Sequence, residues 1–287
     1  MFRAEIGILG GSGLYQMPGL TNVHEEQIST PFGEPSDWLT FGELRGRKVA
    51  FLARHGRGHS LLPSDINYRA NIYAMKQAGV SAILSISAVG SLKEEHKPGR
   101  FVVPDQFIDR TYARRSTFFG PDVVVHVAMA DPVCPEVGNA MMAACSTSGV
   151  EASRGGTYVC MEGPQFSTRA ESNLYRSWGA DLVGMTNLQE AKLAREAEIC
   201  YATLAMVTDY DCWHPDHDSV TTEQIVRVLN QNSAAALKVL DAAVAALPAK
   251  RNCRCQHALK DAILTKPSAI SVETRQKLGL LLDKYLQ

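Results

Sequence analysis

DLVGMTNLQEAKLAREAEICYATLAMVTD, residues 181–209, decides the architecture. Asp181 to Met185 is a short apolar run suited to a strand. Asn187 to Glu198 carries Leu188, Ala191, Leu193 and Ala194 at helical spacing, and Ile199 to Val207 is an apolar run that reads as a strand buried on both faces. Strand, helix and buried strand in succession form the unit of a parallel sheet covered by helices. Working outward, Thr157 to Met161 reads as a strand and Pro135 to Ser148 as a helix. Between them and residue 181, Thr168 and Glu171 form a capping-box signature ahead of Leu174 and Trp178. Thr221 with Gln224 opens a long helix carrying Ile225, Val228, Leu229, Leu237, Leu240 and Val244, which stops at Pro248.

The N-terminal half fits the same plan. Glu5 to Leu9 is a strand ended by Gly10-Gly11-Ser12-Gly13, and Trp38 to Leu44 with Val49 to Arg54 reads as a β-hairpin around Gly46. Asn67 to Gln77 is a helix capped at Gly79, and Val80 to Ile86 a buried strand. The expected fold is α/β, with a mixed, largely parallel central sheet, partly barrel-like, surrounded by helices. Residues 1–287 form a single domain, because no stretch reads as a linker. Residues 249–287 are expected as a docked helical tail, with helices over Ala258 to Leu264 and Val272 to Tyr285.

Composition excludes several classes of partner. Lys and Arg number 29 against 30 Asp and Glu, a net charge of −1, which leaves no electrostatic footprint for nucleic acid or an anionic membrane. Any anion site must therefore be local. The longest apolar stretch falls far short of the roughly 20 residues that span a bilayer. Glu5 stands where a signal peptide would continue an apolar run, so a cytoplasmic location is expected. The seven cysteines do not read as a secreted disulfide framework. Cys253-Arg254-Cys255, even with His257, offers three ligands at a spacing that matches no common zinc motif, leaving a vicinal redox pair or two unrelated thiols.

Four segments can carry chemistry. In the first, Gly10-Gly11-Ser12-Gly13 can converge backbone N–H groups and the Ser12 hydroxyl on an oxyanion, or serve as a plain tight turn. Its spacing is neither a dinucleotide fingerprint nor a P-loop. The second, Arg54-His55-Gly56-Arg57-Gly58-His59, follows a buried strand and concentrates positive charge in a nearly neutral chain, which suits phosphate. The third, Glu162 to Thr168, enters the capped helix; its Phe166 suits either a core position or stacking against a planar base. The fourth, Thr208 to Asp218, places Asp209 and Asp211 directly after a buried strand, where acids must work or be paired. His214 and His217 add a metal reading there, although their order fits no common ligand spacing.

Together these segments carry a resemblance. Gly10 to Gly13, Thr30-Pro31-Phe32-Gly33-Glu34-Pro35-Ser36, Arg54 to Arg57, Asn67-Tyr68-Arg69-Ala70-Asn71, Glu162 to Ser167 and Thr208 to Trp213 stand in the order found in 5′-methylthioadenosine phosphorylases, of the trimeric class of purine nucleoside phosphorylases. The resemblance implies phosphate-dependent cleavage of 5′-methylthioadenosine to adenine and 5-methylthioribose 1-phosphate, with adenosine also accepted. It implies a homotrimer, no cofactor and no metal, and inorganic phosphate as co-substrate. Ser12, Arg54, His55, Ser87, Ala88 and Thr186 would bind phosphate, and Phe166, Ser167 and Met185 would line the ribose and base. Asp209 and Asp211 would act on the purine as the catalytic pair. His59, Thr222 and Ile225, with His126 from a neighbouring subunit, would surround the 5′ substituent. Asn187-Leu188-Gln189-Glu190 departs from the family's usual Thr-Val-Pro-Glu, and Gly184 replaces the Asn of the animal enzymes. The rival readings are a 6-oxopurine nucleoside phosphorylase and, from another class, a metal-dependent hydrolase built on Asp209 to His217.

Overall fold

Three strands carry the core, and each alternates its side chains between two helical layers. In the computed structural model, which describes residues 2–11, 17–215 and 221–286, these are β1 (Ile6–Gly10), β5 (Ala82–Ser91) and β11 (Cys200–Asp209). They lie parallel and adjacent, β1 and β11 flanking β5. Leu9, Ile83 and Tyr201 face one layer, with α1 (Tyr68–Gln77), α4 (Asn187–Glu196) and α6 (Val272–Leu282). Ile6, Ile8, Leu84 and Leu204 face the other, with α2 (Pro135–Thr147) and α5 (Thr222–Ala246). The period-two alternation of a strand thus serves two apolar faces, which is why these strands read as unbroken hydrophobic runs.

The sheet extends both ways from this centre. On one side run β4 (Arg47–Ala53), β3 (Leu39–Leu44) and β2 (Thr21–Glu26), the β3–β4 pair being the expected hairpin. On the other, the C-terminal end of β5 pairs antiparallel with β10 (Leu182–Gly184), followed by β9 (Thr157–Met161) and β7 (Gln106–Arg110). β11 carries a branch, β6 (Phe101–Val103) and β8 (Ala152–Arg154). The sheet is mixed, with parallel pairing through its centre, and helices cover it on both faces. The short strands β6, β7 and β8 were not legible in the sequence. α3 (Arg169–Ser177) carries the capping box between Thr168 and Glu171.

The tail differs from expectation in one place. Residues 258–264 are not a helix: a single 3₁₀ turn spans Arg254–His257, and Asp261 takes φ 65°, a left-handed conformation that a helix interior does not accept. Ile263 instead forms a β-bridge to Val125. Beyond it, Ile270, Leu278, Leu281 and Leu282 join the same apolar cluster as Ile72 and Ile199.

Candidate active site

The carboxyl ends of β5 and β11 place a pair of acids beside a glycine. β11 bulges between Val207 and Asp209, and Asp209 pairs with Gly90. That bulge turns the Asp209 side chain over the sheet. Its Oδ2 accepts from the Thr208 hydroxyl at 2.6 Å and its Oδ1 from the Asp211 N–H at 2.8 Å. Burial pushes its pKa up to about 6; those two hydrogen bonds pull the other way and are outweighed. Gly90 leaves room for this carboxyl, because a Cβ would stand 2.9 Å from Asp209 Oδ1 and push it aside.

Asp211 is buried and held at φ 50°, a left-handed conformation that costs of order 1 kcal/mol in a non-glycine residue. Burial raises its pKa as well, opposed by the nearby Ser172 and Ser167 hydroxyls. Its Oδ2 makes no hydrogen bond of ordinary length among the described residues, and the nearby Ser172 hydroxyl is likewise unpaired. A buried, unpaired carboxylate oxygen is costly, and either a small shift of the Ser172 hydroxyl or a ligand donor would satisfy it.

Behind the pair lies a buried polar network. Arg54, 2% exposed, donates from Nε to Glu190 Oε1 at 2.5 Å and from Nη2 to Glu190 Oε2 at 3.0 Å and Ser85 Oγ at 2.7 Å. Its Nη1 donates to the Ile86 carbonyl at 2.9 Å. Tyr201 donates to Glu190 Oε2 at 2.8 Å, and Asn187 donates to Tyr201 and Ser85 while accepting from the Ser87 hydroxyl at 2.6 Å. Thr186 is the N-cap residue of α4 and makes no side-chain cap bond. Thus Ser87 and Ala88 on β5 meet the open N-terminus of α4, a setting suited to an anion.

This geometry corrects the charge reading of residues 54–59. Glu190 neutralises Arg54 and takes, with Ser85 and Ile86, all but one of its N–H donors. Arg57 is exposed and paired with Glu25 and Asp37. His55 Nδ1 lies 2.9 Å from the Leu61 carbonyl, which can only accept, so Nδ1 carries the hydrogen. Burial drives the His55 pKa down to about 4, with the Leu61 contact opposing it. Near neutral pH, His55 is uncharged and presents Nε2 as an acceptor. The segment is a neutral hydrogen-bonding surface, not a cluster of unopposed cations.

The other expected residues are distributed as follows. Met185 lies against Gly163, whose hypothetical Cβ would meet its sulfur at 2.5 Å. Gly184 is accounted for by Tyr158, whose hydroxyl fills the space any side chain would need. Phe166 is 41% exposed and therefore outside the core. Ser167 Oγ contacts Met161 Sδ, and the Ser167 carbonyl accepts from Cys212. His59 is exposed and stacks on His55 with centroids 4.2 Å apart. Thr222, the first residue of α5, is exposed. His126 is also exposed, on a segment whose N–H groups and carbonyls pair with residues 262–265 of the tail. Ser12 and His217, like the side chain of Ile225, lie outside the described residues. His214, offered as a metal ligand, instead contacts Glu94 Oε2 at 3.2 Å and stacks on Tyr210.

Sequence reasoning missed Arg114. Its side chain is 1% exposed and donates to the carbonyls of Glu162 and Met185 and to Gln189 Oε1 at 3.0 Å. It thereby fixes the turn before Phe166 to the strand end that carries Met185. Gln189, at the position where the resemblance led us to expect proline, contributes a hydrogen bond to this clamp. Nothing near Arg114 in the sequence singles it out, since its partners lie 46–75 residues away.

The comparisons bear on the whole chain. Residues 5–245 match the model of the phosphorylase superfamily. The S-methyl-5′-thioadenosine phosphorylase of Koribacter versatilis is 63% identical over 283 residues, spanning 99% of this chain and 97% of that one. A crystal structure of a methylthioadenosine phosphorylase from an antarctic soil metagenomic library superposes with a TM-score of 0.94 at 52% identity, covering 98% of this chain and 100% of that one. The Schistosoma mansoni adenosine/methylthioadenosine phosphorylase, as an S12T mutant in complex with methylthioadenosine, gives a TM-score of 0.84 at 35% identity over 90% of this chain and 96% of that one.

Proposed function

Because the chain belongs to the phosphorylase superfamily, we propose that it cleaves S-methyl-5′-thioadenosine with inorganic phosphate, releasing adenine and 5-methylthioribose 1-phosphate, and that it also accepts adenosine. The observation that carries this reading is the acid pair at the end of β11, with Asp209 raised to about 6 and Asp211 Oδ2 unpartnered. Losing a purine from C1′ leaves an oxocarbenium-like sugar and builds negative charge on the base, so an acid is needed at N7. Asp209 in its protonated form donates to N7, and its second oxygen accepts from the 6-amino group. Asp211 adds an acceptor for that amino group and holds Asp209 through its backbone N–H. A 6-oxopurine would put its O6 against an acceptor oxygen instead, at a cost of about 1–3 kcal/mol. The acid pair therefore favours adenine over a 6-oxopurine.

Phosphate takes the other end. Ser87, the backbone around Ala88 and the N-terminus of α4 at Thr186 surround it, and the resemblance assigns Ser12 to it as well. Arg54 supplies its remaining N–H, and His55 Nε2 accepts the P–OH proton of hydrogen phosphate. Gly90, which pairs with Asp209, follows Ala88 by two residues, about 7 Å along the strand. A ribose fits in that interval, with phosphate in line behind C1′ and the base in front of it. Met185 lies under the sugar, while Phe166 and Ser167 line the base and sugar. His59, Thr222 and a neighbouring subunit's His126 enclose the 5′ group in a homotrimer, and the resemblance assigns Ile225 to it as well. Catalysis is positioning plus electrostatics, with no cofactor or metal at the reacting atoms. A single domain over residues 1–287, with the tail docked on it, carries all of these groups in the cytoplasm. No helix among the described residues is long and apolar enough to cross a membrane.

The test follows adenine release from methylthioadenosine with and without phosphate and with and without a chelator. Release that depends on phosphate and survives chelation is expected. Equal release in phosphate-free buffer would replace the phosphorylase by a hydrolase.

A further inference from the structure

At the opposite pole from Asp209, four cysteines from three separate stretches of chain converge. Cys134, Cys200, Cys253 and Cys255 hold their sulfur atoms within 4.8 Å of one another, and three of the four are buried. Cys200 opens β11 and Asp209 ends it, so the cluster lies about 30 Å from the base site along that strand. From the geometry of this cluster, we propose that the four thiols form a structural tetrathiolate site for a zinc ion.

The donor set and its supports fit that ion. Four thiolates around Zn²⁺ at about 2.3 Å stand about 3.8 Å from one another, inside the spread seen here, so small side-chain rotations close the shell. Cys200 and Cys253 sulfurs are already 3.3 Å apart. Cys134 is the N-cap residue of α2, where the positive end of the helix favours a thiolate, and its N–H is anchored to the Tyr201 carbonyl at 2.8 Å. The Cys200 N–H is anchored to the Ser81 carbonyl at 3.0 Å. Cys253 and Cys255 come from one tight turn, bound to the first turn of α2 through the Asn252 N–H and Glu136 Oε1 at 2.9 Å. Arg195 stands near Cys255 and offsets part of the negative charge of the filled site. An open cleft of about 550 Å³, lined in part by Arg251, Asn252, Cys253 and His257, gives a route to the sulfurs.

All four ligands come from the protein, so no position is left for substrate, and the site is structural. It joins the tail to the start of β11 and the N-terminus of α2. Each thiol gives its proton to solvent as it ligates, four per ion, so binding weakens as pH falls. The rival fate of such thiols is disulfide formation, which removes two hydrogens per bridge and leaves no metal ligand.

Protein purified under reducing conditions should contain about one zinc per chain by plasma mass spectrometry. Its four thiols should resist alkylation until a chelator is added. Cys255→Ser and Cys134→Ser should each lose the metal and lower Tm, with kcat/KM for the nucleoside unchanged below Tm. Should a variant fail to fold, Co²⁺ added to metal-stripped wild type supplies the check. A one-to-one endpoint with the visible bands of a tetrahedral tetrathiolate complex is expected. Bridges found by intact mass, thiols alkylated at once without Zn²⁺ or Co²⁺ uptake, or metal retained by both variants would overturn the proposal.

Discussion

Replacing Gly90 with alanine should disable Asp209 while leaving the fold almost intact. The added methyl would meet Asp209 Oδ1 at 2.9 Å, with Val183 Cγ1 at 3.1 Å and the Asp211 Cβ at 3.4 Å around it. β5 is paired on both sides, so the methyl cannot retreat, and the carboxyl must move by about 0.5 Å to reach ordinary contact. That movement stretches the 2.8 Å bond from the Asp211 N–H. A misplacement of 1 Å costs on the order of 10²-fold, so half of it predicts roughly a 10-fold loss in kcat/KM. The atom displaced is the end of a short polar side chain, so the stability loss should sit near the low end of overpacking, about 1 kcal/mol. The assay is kcat/KM for methylthioadenosine at saturating phosphate, alongside urea unfolding, in wild type, Gly90→Ala, Asp209→Asn and the double variant. The glycine substitution should add almost nothing once Asp209 is gone. Unchanged kcat/KM in Gly90→Ala, or an equal loss in both backgrounds, would show that the glycine does not act through Asp209.

Four further outcomes are expected. Asp209 must keep its proton to act as an acid, so kcat/KM should fall as pH rises through about 6, and Asp209→Asn should remove that limb. On adenosine and methylthioadenosine the same variant should lose roughly 10²–10⁴ and on inosine much less, so an unchanged adenosine-to-inosine ratio would show that Asp209 does not read the base. Arg54→Met strands Glu190 as an unpaired buried carboxylate, at a cost of about 3–5 kcal/mol in urea unfolding, with part of the loss recovered by adding Glu190→Gln; unchanged stability, or no recovery in the double variant, would refute this role of the pair. Burial raises the Glu196 pKa from 4.5 to about 7, against hydrogen bonds from the Phe118 N–H and the Thr117 hydroxyl. The folded state therefore holds a proton that the unfolded state releases. This contribution is complete below pH 4.5 and is lost as pH rises to about 7, up to ~3 kcal/mol in total. Glu196→Gln should flatten the difference in Tm across that window, and parallel curves for the two proteins would refute the assignment.

The alternation of β1, β5 and β11 was legible because each strand is apolar on both faces and bounded by glycine or by a helix start. What escaped was short or tertiary. β6 and β8 are three residues long, too short for any period to register, and owe their existence to pairing with β11 and with each other. Residues 258–264 have helical spacing, yet local propensity gives way to the β-bridge between Ile263 and Val125 and to the left-handed Asp261. That bridge belongs to the pairing that fixes the chain around His126. Backbone hydrogen bonds therefore tie the tail to the segment carrying His126, which the proposal places at a neighbouring subunit's site, while its buried leucines dock it on the core.

The site shows the same division more sharply. Asp209 and Asp211 were legible because a carboxyl at the end of a buried strand is conspicuous without any partner. Arg54 was equally conspicuous, but its setting was misjudged: a sequence displays charges and hides their pairing. Glu190 lies 136 residues away, in a helix whose polar face points inward, and it turns an apparent cationic patch into a neutral network. The consequence is chemical. A doubly charged phosphate facing an unopposed Arg54 and a protonated His55 would be bound tightly in the ground state, which does not by itself speed cleavage. In the proposed reaction, with Arg54 compensated and His55 neutral, the anion is held chiefly by hydroxyls, backbone N–H groups and the start of α4. These fixed dipoles need little reorganisation as the anion's charge moves to the sugar. On that proposal the Arg54–Glu190 pair keeps Ser85, Asn187 and Ser87 in register beneath the anion, besides offering it the remaining N–H of Arg54.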